Sequence, residues 1–362
     1  MARTKPSAAL PITPEGYAYD DLLGLADTSL RAGLSVLMRG HPGVGKSTLA
    51  AQLAERLGLP MEDIRLAQRE PADLGGVYFP DRERQVLELF PPDWVRRVCR
   101  EPTLVFLDEI NAAVTRLHQA AAYQIVLERR VGPFRFHPDT RVLAAGNLEE
   151  DNAIVTPLST ALANRFAHFV LRVDADAWLT WAATEGVHPT VMAYIARHRE
   201  EALYANEGDL AFPSPRSWAM ASTLLHAAPP AQARRLVAAC VGERAAEQLA
   251  AFERIFARVP VAAIVRKGRA MDFRRGKQAE PSFIYAAVFA VARWLCSEPA
   301  IPDEQLSNVV KFACSPGLDP EYVFLFLRQL KAVPGLLGRL QAEAEFRDLA
   351  KSMVDLRLEA WA

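Results

Sequence analysis

The sequence predicts an α/β fold, in which a parallel β-sheet covered by helices is followed by helical material alone. Three observations predict this class. Short apolar runs alternate with helix-like segments over residues 15–173, as in a parallel sheet with helices on both faces. A glycine-rich loop joins one of these runs to a helical segment. From about residue 174 the strand pattern disappears, and helix-like segments broken by prolines follow one another.

The elements of the α/β part are predicted from apolar patterning and from the residues that end each pattern. Continuous apolar runs indicate strands buried on both faces, whereas apolar residues at helical spacing indicate helices. Gly33 and Gly58 end two of these helices. In chain order, the predicted elements are a helix at 17–32, a strand at 34–40, a helix at 47–57, a strand at 103–110, a helix at 112–130, and strands at 140–147 and 165–173.

The composition is that of an ordinary globular protein, and the nearly balanced charges create no strong overall electrostatic field. A length of 362 residues favours two or three domains. Lysine and arginine number 42 against 43 acidic residues, so attraction to nucleic acid or to a membrane requires a local patch. No apolar run reaches the ~18 residues of a membrane span, and the first 16 residues lack a signal-like apolar core. We therefore expect a cytoplasmic protein without a membrane span.

The glycine-rich loop GHPGVGKS (Gly40–Ser47) fits the phosphate-binding pattern G-x-x-x-x-G-K-[ST], with a strand before it and a helix after it. Backbone N–H groups of such a loop turn towards a phosphate, and the helix N-terminus adds partial positive charge. Lys46 is placed to reach the β- and γ-phosphates, and the Ser47 hydroxyl to hold Mg²⁺. The candidate nucleotide-binding residues are Gly40, His41, Pro42, Gly43, Val44, Gly45, Lys46, Ser47 and Thr48.

Polar side chains also end two other predicted strands. Asp108 and Glu109 end the run LVFLDEIN, at the edge of the sheet where ligands of α/β proteins collect. We expect Asp108 to support the Mg²⁺ shell and Glu109 to orient and polarise an attacking water, a role that a hydrolase needs. Asn147 ends TRVLAAGN and is a candidate hydrogen-bonding partner of that water or of the γ-phosphate. A solvated acidic turn and a turn asparagine are the alternatives.

Taken together, these motifs resemble the AAA+ ATPases and, within them, the MoxR-like family. The stretches that carry the resemblance occur in the family's order over roughly residues 15–225. They are GHPGVGKS, DLGG, LVFLDEIN, LERRV, AAGN, TPLSTALANRF and SPRS. The resemblance implies a P-loop NTPase (AAA+) core at 15–173 behind an N-terminal tail at 1–14, a helical lid at 174–258 and an additional C-terminal helical domain at 259–362.

The resemblance also implies roles for residues that the patterns alone do not explain. Asn147 matches the sensor-1 position, Arg165 matches the arginine that reaches into a neighbouring subunit's site, and Arg216 matches the sensor-2 arginine of the lid. The alternatives are a surface ion-pair partner for Arg165 and a helix N-terminal surface residue for Arg216. Family members usually have an arginine where this chain has Ala112, and an aspartate where it has Asn164.

What the resemblance implies about function is an ATP hydrolase, with ATP and Mg²⁺, that assembles into a ring. A hexamer is the common form, and a partner with a von Willebrand factor A domain is an expectation from the likeness. The implied activity is to remodel, activate or assemble a partner protein, as a chaperone-like machine does. Two alternatives stay open, a nucleic-acid motor or loader and a nucleotide-gated scaffold with little turnover. The balanced net charge of the chain argues against a nucleic-acid partner.

Four further features of the sequence carry open interpretations. Residues 77–94 are a hairpin facing a ring pore or partner, or an ordinary surface loop. The basic segment 265–278 is a patch for nucleic acid or an acidic partner, or a solvated and mobile loop. Residues 282–295 are apolar nearly all round and predict a buried helix. The scattered cysteines Cys99, Cys240, Cys296 and Cys314 predict buried thiols in a reducing compartment.

Overall fold

The computed structural model describes residues 16–112, 115–148, 156–298, 300–330 and 335–347. The chain divides after Asp174 into two compact units. The predicted tail at 1–14 lies outside the described residues. The strands, in chain order, are β1 (Ser35–Gly40), β2 (Met61–Arg65), β3 (Val77–Asp81), β4 (Val86–Phe90), β5 (Leu104–Asp108), β6 (Arg130–Val131), β7 (Phe134–Arg135), β8 (Arg141–Gly146) and β9 (Phe166–Leu171).

The first unit is built on a five-stranded parallel sheet with helices on both faces. The strand order is β2-β5-β8-β1-β9, with every neighbouring pair parallel. Its helices are α1 (Tyr19–Arg31), α2 (Lys46–Leu57), α3 (Pro71–Gly75), α4 (Asp93–Arg100), α5 (Arg116–Tyr123) and α6 (Thr160–Ala163). The predicted α/β class is therefore confirmed.

Two apolar cores lie on opposite faces of this sheet, because neighbouring residues of a strand point to opposite sides. In β1, Val36 and Met38 pack with α1 and α2, whereas Leu37 packs on the other face with α4. All three side chains are at most 1% exposed. Burial on both faces explains why the central strands are continuous apolar runs in the sequence.

Strands fall within all four of the predicted strand segments, but one strand and one hairpin were not predicted. The edge strand β2 has the sequence MEDIR, in which Ile64 alone is buried, so no apolar run marks it. The helix predicted at 112–130 begins at Arg116, after the extended N-cap Thr115, so its predicted start is wrong, and it passes into a π-helical turn at Gln124–Glu128. Arg129 then adopts φ +51°, and the β6–β7 hairpin follows, so the predicted helical end at residue 130 is wrong.

The second unit is all helical among its described residues. Its helices are α7 (Ala175–Thr184), α8 (Pro189–Leu203), α9 (Pro215–Ala227), α10 (Pro230–Val241), α11 (Glu243–Phe256), α12 (Val261–Lys267), α13 (Pro281–Ser297), α14 (Asp303–Ala313), α15 (Pro320–Leu330) and α16 (Leu336–Ala342). The buried helix predicted at 282–295 is confirmed as α13, which packs on α8 and α11. That contact joins the predicted lid to the predicted C-terminal extension, so a division at residue 258 stays a prediction.

Within the described segments, no helix has both the length and the apolar character to cross a bilayer.

Two surface expectations need correction. In the basic segment 265–278, Met271 and Phe273 are 4% and 3% exposed, and the Phe273 N–H donates to the Pro316 carbonyl at 2.8 Å. The interpretation as a solvated loop is therefore wrong for Met271 and Phe273 at the centre of the segment. The prediction of buried thiols holds for Cys240 alone of the four, since Cys99 is half-buried and Cys296 and Cys314 are exposed.

We predict that His188 makes the stability of the second unit depend on pH. Burial, with Arg293 and His226 nearby, lowers the pKa of His188 from its ordinary 6.5 to about 4. Because the unfolded chain then binds this proton first, the stabilising contribution is complete above pH 6.5 and is lost as pH falls towards 4. The His188→Asn variant keeps an N-cap acceptor for the Thr190 N–H but does not titrate.

Urea unfolding midpoints of wild type and His188→Asn between pH 7.5 and 4.5 check this prediction. The wild-type midpoint should fall more steeply with acidification than that of the variant. Parallel pH profiles of the two proteins would contradict the assignment of this dependence to His188.

Candidate functional site

The glycine-rich loop lies at the carboxyl end of β1 and leads directly into α2. Gly45 is the N-cap of α2, with φ +108°, a conformation that favours glycine because it has no side chain. A Cβ on Gly40 would lie 2.9 Å from the Leu171 carbonyl oxygen, so the loop begins where β1 and β9 are in close contact. No described side chain caps the α2 N-terminus. The N-terminus of a helix attracts anions through the N–H groups of its first turn.

Lys46 is the first residue of α2 and is only 9% exposed. Its Nζ donates to the carbonyl oxygens of Gly40 and His41, at 2.7 and 3.0 Å. It also donates to Asn147 Oδ1 at 3.0 Å. The structure thus brings together the loop lysine and the polar residue that follows β8, as their positions at the ends of neighbouring parallel strands require.

The predicted acidic pair lies beside this lysine, at the carboxyl end of β5. The Ser47 hydroxyl donates to Asp108 Oδ2 at 3.2 Å, so two oxygen ligands of the kind that Mg²⁺ prefers are adjacent. The Glu109 N–H donates to Asp108 Oδ1 at 2.9 Å. Glu109 itself has φ +56°, which costs of order 1–3 kcal/mol for a residue other than glycine. The sequence did not reveal this strained backbone, which turns the chain sharply at the end of the strand.

Asn111 is a residue of this site to which the sequence interpretation gave no role. Its Nδ2 donates to the Asn147 carbonyl at 2.8 Å, and its Oδ1 accepts from the Asn147 N–H at 3.0 Å. The side chain is 7% exposed, and a Cβ on Gly146 would lie 2.6 Å from its Oδ1. Asn111 therefore holds the end of β8 against the turn after β5. The fourth letter of the DEIN motif is the signal that could have identified it.

Removal of the Asn111 amide should loosen this end of the sheet. In Asn111→Ala, the partly buried N–H and C=O of Asn147 lose their partner, which costs about 1–3 kcal/mol. Hydrogen exchange measured by mass spectrometry in peptides covering β8 should then be faster than in wild type by roughly 5- to 150-fold. Asn164→Ala, at an exposed position of the same unit, should exchange like wild type. Equal protection in the two variants would show that the Asn111 clamp has no effect.

Arg165 lies away from the other first-unit candidates, at the opposite end of the sheet. It directly precedes β9, and β9 begins opposite Ser35, at the amino end of β1. The phosphate loop follows Gly40 at the carboxyl end of that strand. The two ends are about 17 Å apart, since five residue steps of about 3.3 Å separate them. Arg165 is exposed, and no described side chain pairs with its guanidinium.

Arg216 belongs to the second unit. It is the second residue of α9, whose N-terminus is capped by Ser214 in a reciprocal pair with Ser217. Ser214 and Ser217 are buried and Arg216 is exposed. The capping serines therefore fix the helix start and direct the arginine outward from its own unit.

The arrangement in the first unit fits a nucleoside triphosphate with its magnesium ion. Lys46 and the start of α2 are positive groups of the kind that bind phosphates, and Ser47 with Asp108 presents oxygen atoms of the kind that bind Mg²⁺. A carboxylate, Glu109, lies one residue beyond the metal-side Asp108. Parallel strand order, loop and carboxylates together define a P-loop nucleotide-hydrolase domain.

Comparison with known proteins narrows this class. Residues 35–166 match the family described as AAA domain, dynein-related subfamily. An uncharacterized AAA domain-containing protein of Schizosaccharomyces pombe is 33% identical over 124 residues, which are 34% of this chain and 13% of that protein. The ATPase family gene 2 protein homolog B of Bos taurus is 31% identical over 134 residues, 36% of this chain and 17% of that protein. The first unit thus contains an AAA+ ATPase domain.

Solved structures resemble the chain only distantly. A mutant of RuvB from Thermotoga maritima aligns over 80% of this chain and 87% of that chain, with 13% identity and a TM-score of 0.39. At this level the comparison carries no argument about function. The chain also spans less than a fifth of the length of the two curated relatives.

Proposed function

We propose that this chain is a MoxR-type AAA+ ATPase that hydrolyses ATP in an oligomeric ring in order to remodel, activate or assemble a partner protein. The observation that carries the proposal is the separation of Arg165 from the phosphate loop of its own subunit. An exposed arginine at the amino end of β9 is about 17 Å from the carboxyl end of β1. It is therefore available to a neighbouring copy rather than to its own site.

The position of Arg165 supports a ring as the form of assembly that we propose. When a residue on one face of a subunit completes a site on a different face of the next subunit, the contact is heterologous, and closed rings result when the rotation closes. The ring size that we propose is six, from the likeness to AAA+ proteins. Each site is then complete only at an interface between subunits, and assembly becomes a condition for turnover.

Within such a site, each candidate residue has a distinct task. Lys46 binds the β- and γ-phosphates, and Ser47 with Asp108 holds Mg²⁺, which when bound neutralises phosphate charge. Glu109 orients the attacking water and takes up its proton. Asn147, held by Asn111, hydrogen-bonds the water or the γ-phosphate. Arg165 of the neighbouring copy and Arg216 of the second unit stabilise the charge that spreads over the phosphate oxygens in the transition state.

The β3–β4 hairpin supports a contact with another protein. Its strands pair in an antiparallel register from Val77 with Phe90 to Asp81 with Val86. Large hydrophobic side chains that are 47–66% exposed cover it: Val77, Tyr78, Phe79, Val86, Leu87 and Phe90. Contiguous exposed apolar surface of this kind marks interaction sites. We propose that the hairpin meets the ring pore or the partner.

The partner itself is proposed from the likeness alone, as a protein with a von Willebrand factor A domain, and the cytoplasmic location stays a prediction. The nucleic-acid alternative relies on the basic segment, where part of the charge is already engaged. Arg274 is paired with Asp272 at 3.0 Å, and Arg266 lies 3.7 Å from a Glu298 oxygen. These pairs reduce the charge available to a phosphate backbone.

Steady-state ATPase activity measured over a range of protein concentrations tests the proposal. Turnover per subunit should rise as the oligomer forms, with the same midpoint as assembly followed by analytical ultracentrifugation. A constant, low turnover at all concentrations would favour the nucleotide-gated scaffold. A constant, high turnover would show that the monomer contains a complete site.

A further inference from the structure

A cavity of about 520 Å³ lies in the second unit, between α8, α11 and the connection that follows α8. Its volume is in the range of sites that bind small organic groups. All of its lining residues belong to this unit, and neither Arg216 nor any residue of the nucleotide site is among them. The proposed ATPase function gives it no role.

The floor of the cavity is apolar and aromatic. Tyr194 and Phe252 line it and contact each other edge to face, with ring centroids 6.0 Å apart. They are 3% exposed. The Tyr194 hydroxyl donates to Gln248 Oε1 at 2.9 Å, so the ring is fixed with its polar end satisfied. Aromatic rings present a negative face, which attracts cations as well as apolar groups.

The rim of the cavity is acidic. Four carboxylates line it, namely Glu201, Glu207, Asp209 and Glu243, against one basic side chain, Arg244. Arg244 Nη1 lies 2.9 Å from Glu207 Oε1, so this arginine is already paired.

Two of the four rim carboxylates, Glu207 and Glu243, are stabilised by groups of the same unit, and the other two are not. Glu243 lies in the first turn of α11, where the helix dipole favours an acid, and 3.8 Å from Arg234. Glu201 and Asp209 have no basic side chain of the described residues within 4 Å. His198, the remaining ionisable base of the lining, has a pKa lowered by burial and by Arg197, against an opposing effect of Glu201.

We propose that this cavity binds a basic side chain, presented by a peptide segment of a partner protein. A guanidinium or ammonium would meet Glu201 and Asp209 at the rim while its aliphatic stem lies on Tyr194 and Phe252. Such side chains combine an apolar stem with a charged head. An acidic occupant would be repelled, and a purely apolar one would leave the carboxylates without a partner.

A neighbouring side chain favours a peptide over a free amine. Leu210 lies between two lining residues, Asp209 and Ala211, and is fully exposed. An apolar side chain projecting beside an acidic cavity can contact a residue next to the basic one on an extended segment. Free small cations have no such second contact, so they should bind more weakly.

The test uses the full chain without nucleotide and a fluorescein-labelled peptide, Ala-Leu-Arg-Leu-Ala with blocked ends. Its counterpart carries citrulline, which has nearly the shape of arginine but no charge. Fluorescence anisotropy should show binding of the arginine peptide that is at least tenfold tighter than that of the citrulline peptide. Unlabelled arginine amide and spermidine should compete only at much higher concentration than the unlabelled peptide.

Variants locate the site. Glu201→Gln and Asp209→Asn should each weaken arginine-peptide binding severalfold, and the double variant at least tenfold. Glu247→Gln is the matched control, because Glu247 lies on α11, is exposed and is paired with Arg234, outside the cavity. Thermal unfolding of all variants checks their folding. Equal affinity for both peptides, tighter competition by the free amines, or no difference between the double variant and Glu247→Gln would overturn the proposal.

These outcomes are independent of the proposed ATPase function. Peptide binding without nucleotide needs neither ring assembly nor hydrolysis. If the protein hydrolyses ATP but does not bind the peptide, only the peptide-binding inference is wrong. If it binds the peptide but does not hydrolyse ATP, only the ATPase proposal is wrong.

Discussion

Replacement of Glu109 by glutamine should lower the rate of ATP hydrolysis by about 10²–10⁴-fold, the usual contribution of a positioned general base. The amide keeps the size and most of the hydrogen-bonding capacity of the carboxylate, but it cannot take up the proton of the attacking water. Nucleotide affinity should change little, because we assign nucleotide binding to Lys46, Ser47 and the start of α2 rather than to Glu109. Single-turnover hydrolysis and equilibrium binding of a labelled nucleotide measure the two quantities separately.

Glu101→Gln is a suitable control for this experiment. Glu101 precedes β5 at its amino end and is exposed, so the same chemical change is made at the opposite edge of the sheet. It should leave the rate within twofold of wild type, roughly the effect of a surface substitution. If Glu109→Gln retained wild-type turnover, Glu109 would have no part in activating water.

Arg165→Ala should reduce turnover by about 10³–10⁵-fold, the range for an arginine that stabilises the transferring phosphoryl group from a second protein surface. Binding of nucleotide to the isolated subunit should be unchanged, since Arg165 lies at the far end of β9 from the phosphate loop. Assembly, checked by analytical ultracentrifugation, has to be preserved for the result to concern chemistry.

Arg172→Ala serves as the matched control for Arg165. Arg172 is an exposed arginine that follows the same strand at its other end, on the side of the subunit's own loop. If the arginine of the site were supplied within one subunit, Arg172 would be the better placed of the two. A large loss in Arg172→Ala together with full activity in Arg165→Ala would therefore reverse the assignment.

The buried parts of the fold were predictable from the sequence. The strands that contain Leu37, Phe106 and Leu143 are covered on both faces, so their apolar runs are unbroken. The edge strand β2 was missed because solvent reaches most of its side chains, and its sequence MEDIR carries charges instead of an apolar run. The apolar pattern of a sequence indicates which residues are buried. It does not indicate β2, because this edge strand is held mainly by its backbone pairing with β5.

The proximity of the candidate site residues was predictable where these residues follow strand ends. Lys46, Asp108 and Asn147 are close together because parallel neighbouring strands end at one edge. Two features were not predictable in this way. The clamp by Asn111 depends on a contact between residues 36 positions apart, and the left-handed backbone of Glu109 depends on how the turn after β5 is packed. Neither leaves a periodic signal.

The central claim is that the arginine of each nucleotide site comes from an adjacent copy of the chain. Mixing two inactive variants tests it most directly. Glu109→Gln subunits keep Arg165, and Arg165→Ala subunits keep Glu109, so a site between the two in one order has both groups. With random assembly at equal amounts, roughly a quarter of the sites become complete.

The measurement is the ATPase activity of co-assembled rings, prepared by co-expressing the two variants with different affinity tags and purifying over both. We predict that activity reappears at roughly a quarter of the wild-type rate per subunit, from components that are each nearly inactive. Doubly tagged rings as inactive as the separate variants would show that Glu109 and Arg165 act within one subunit. The proposed interface site would then be wrong.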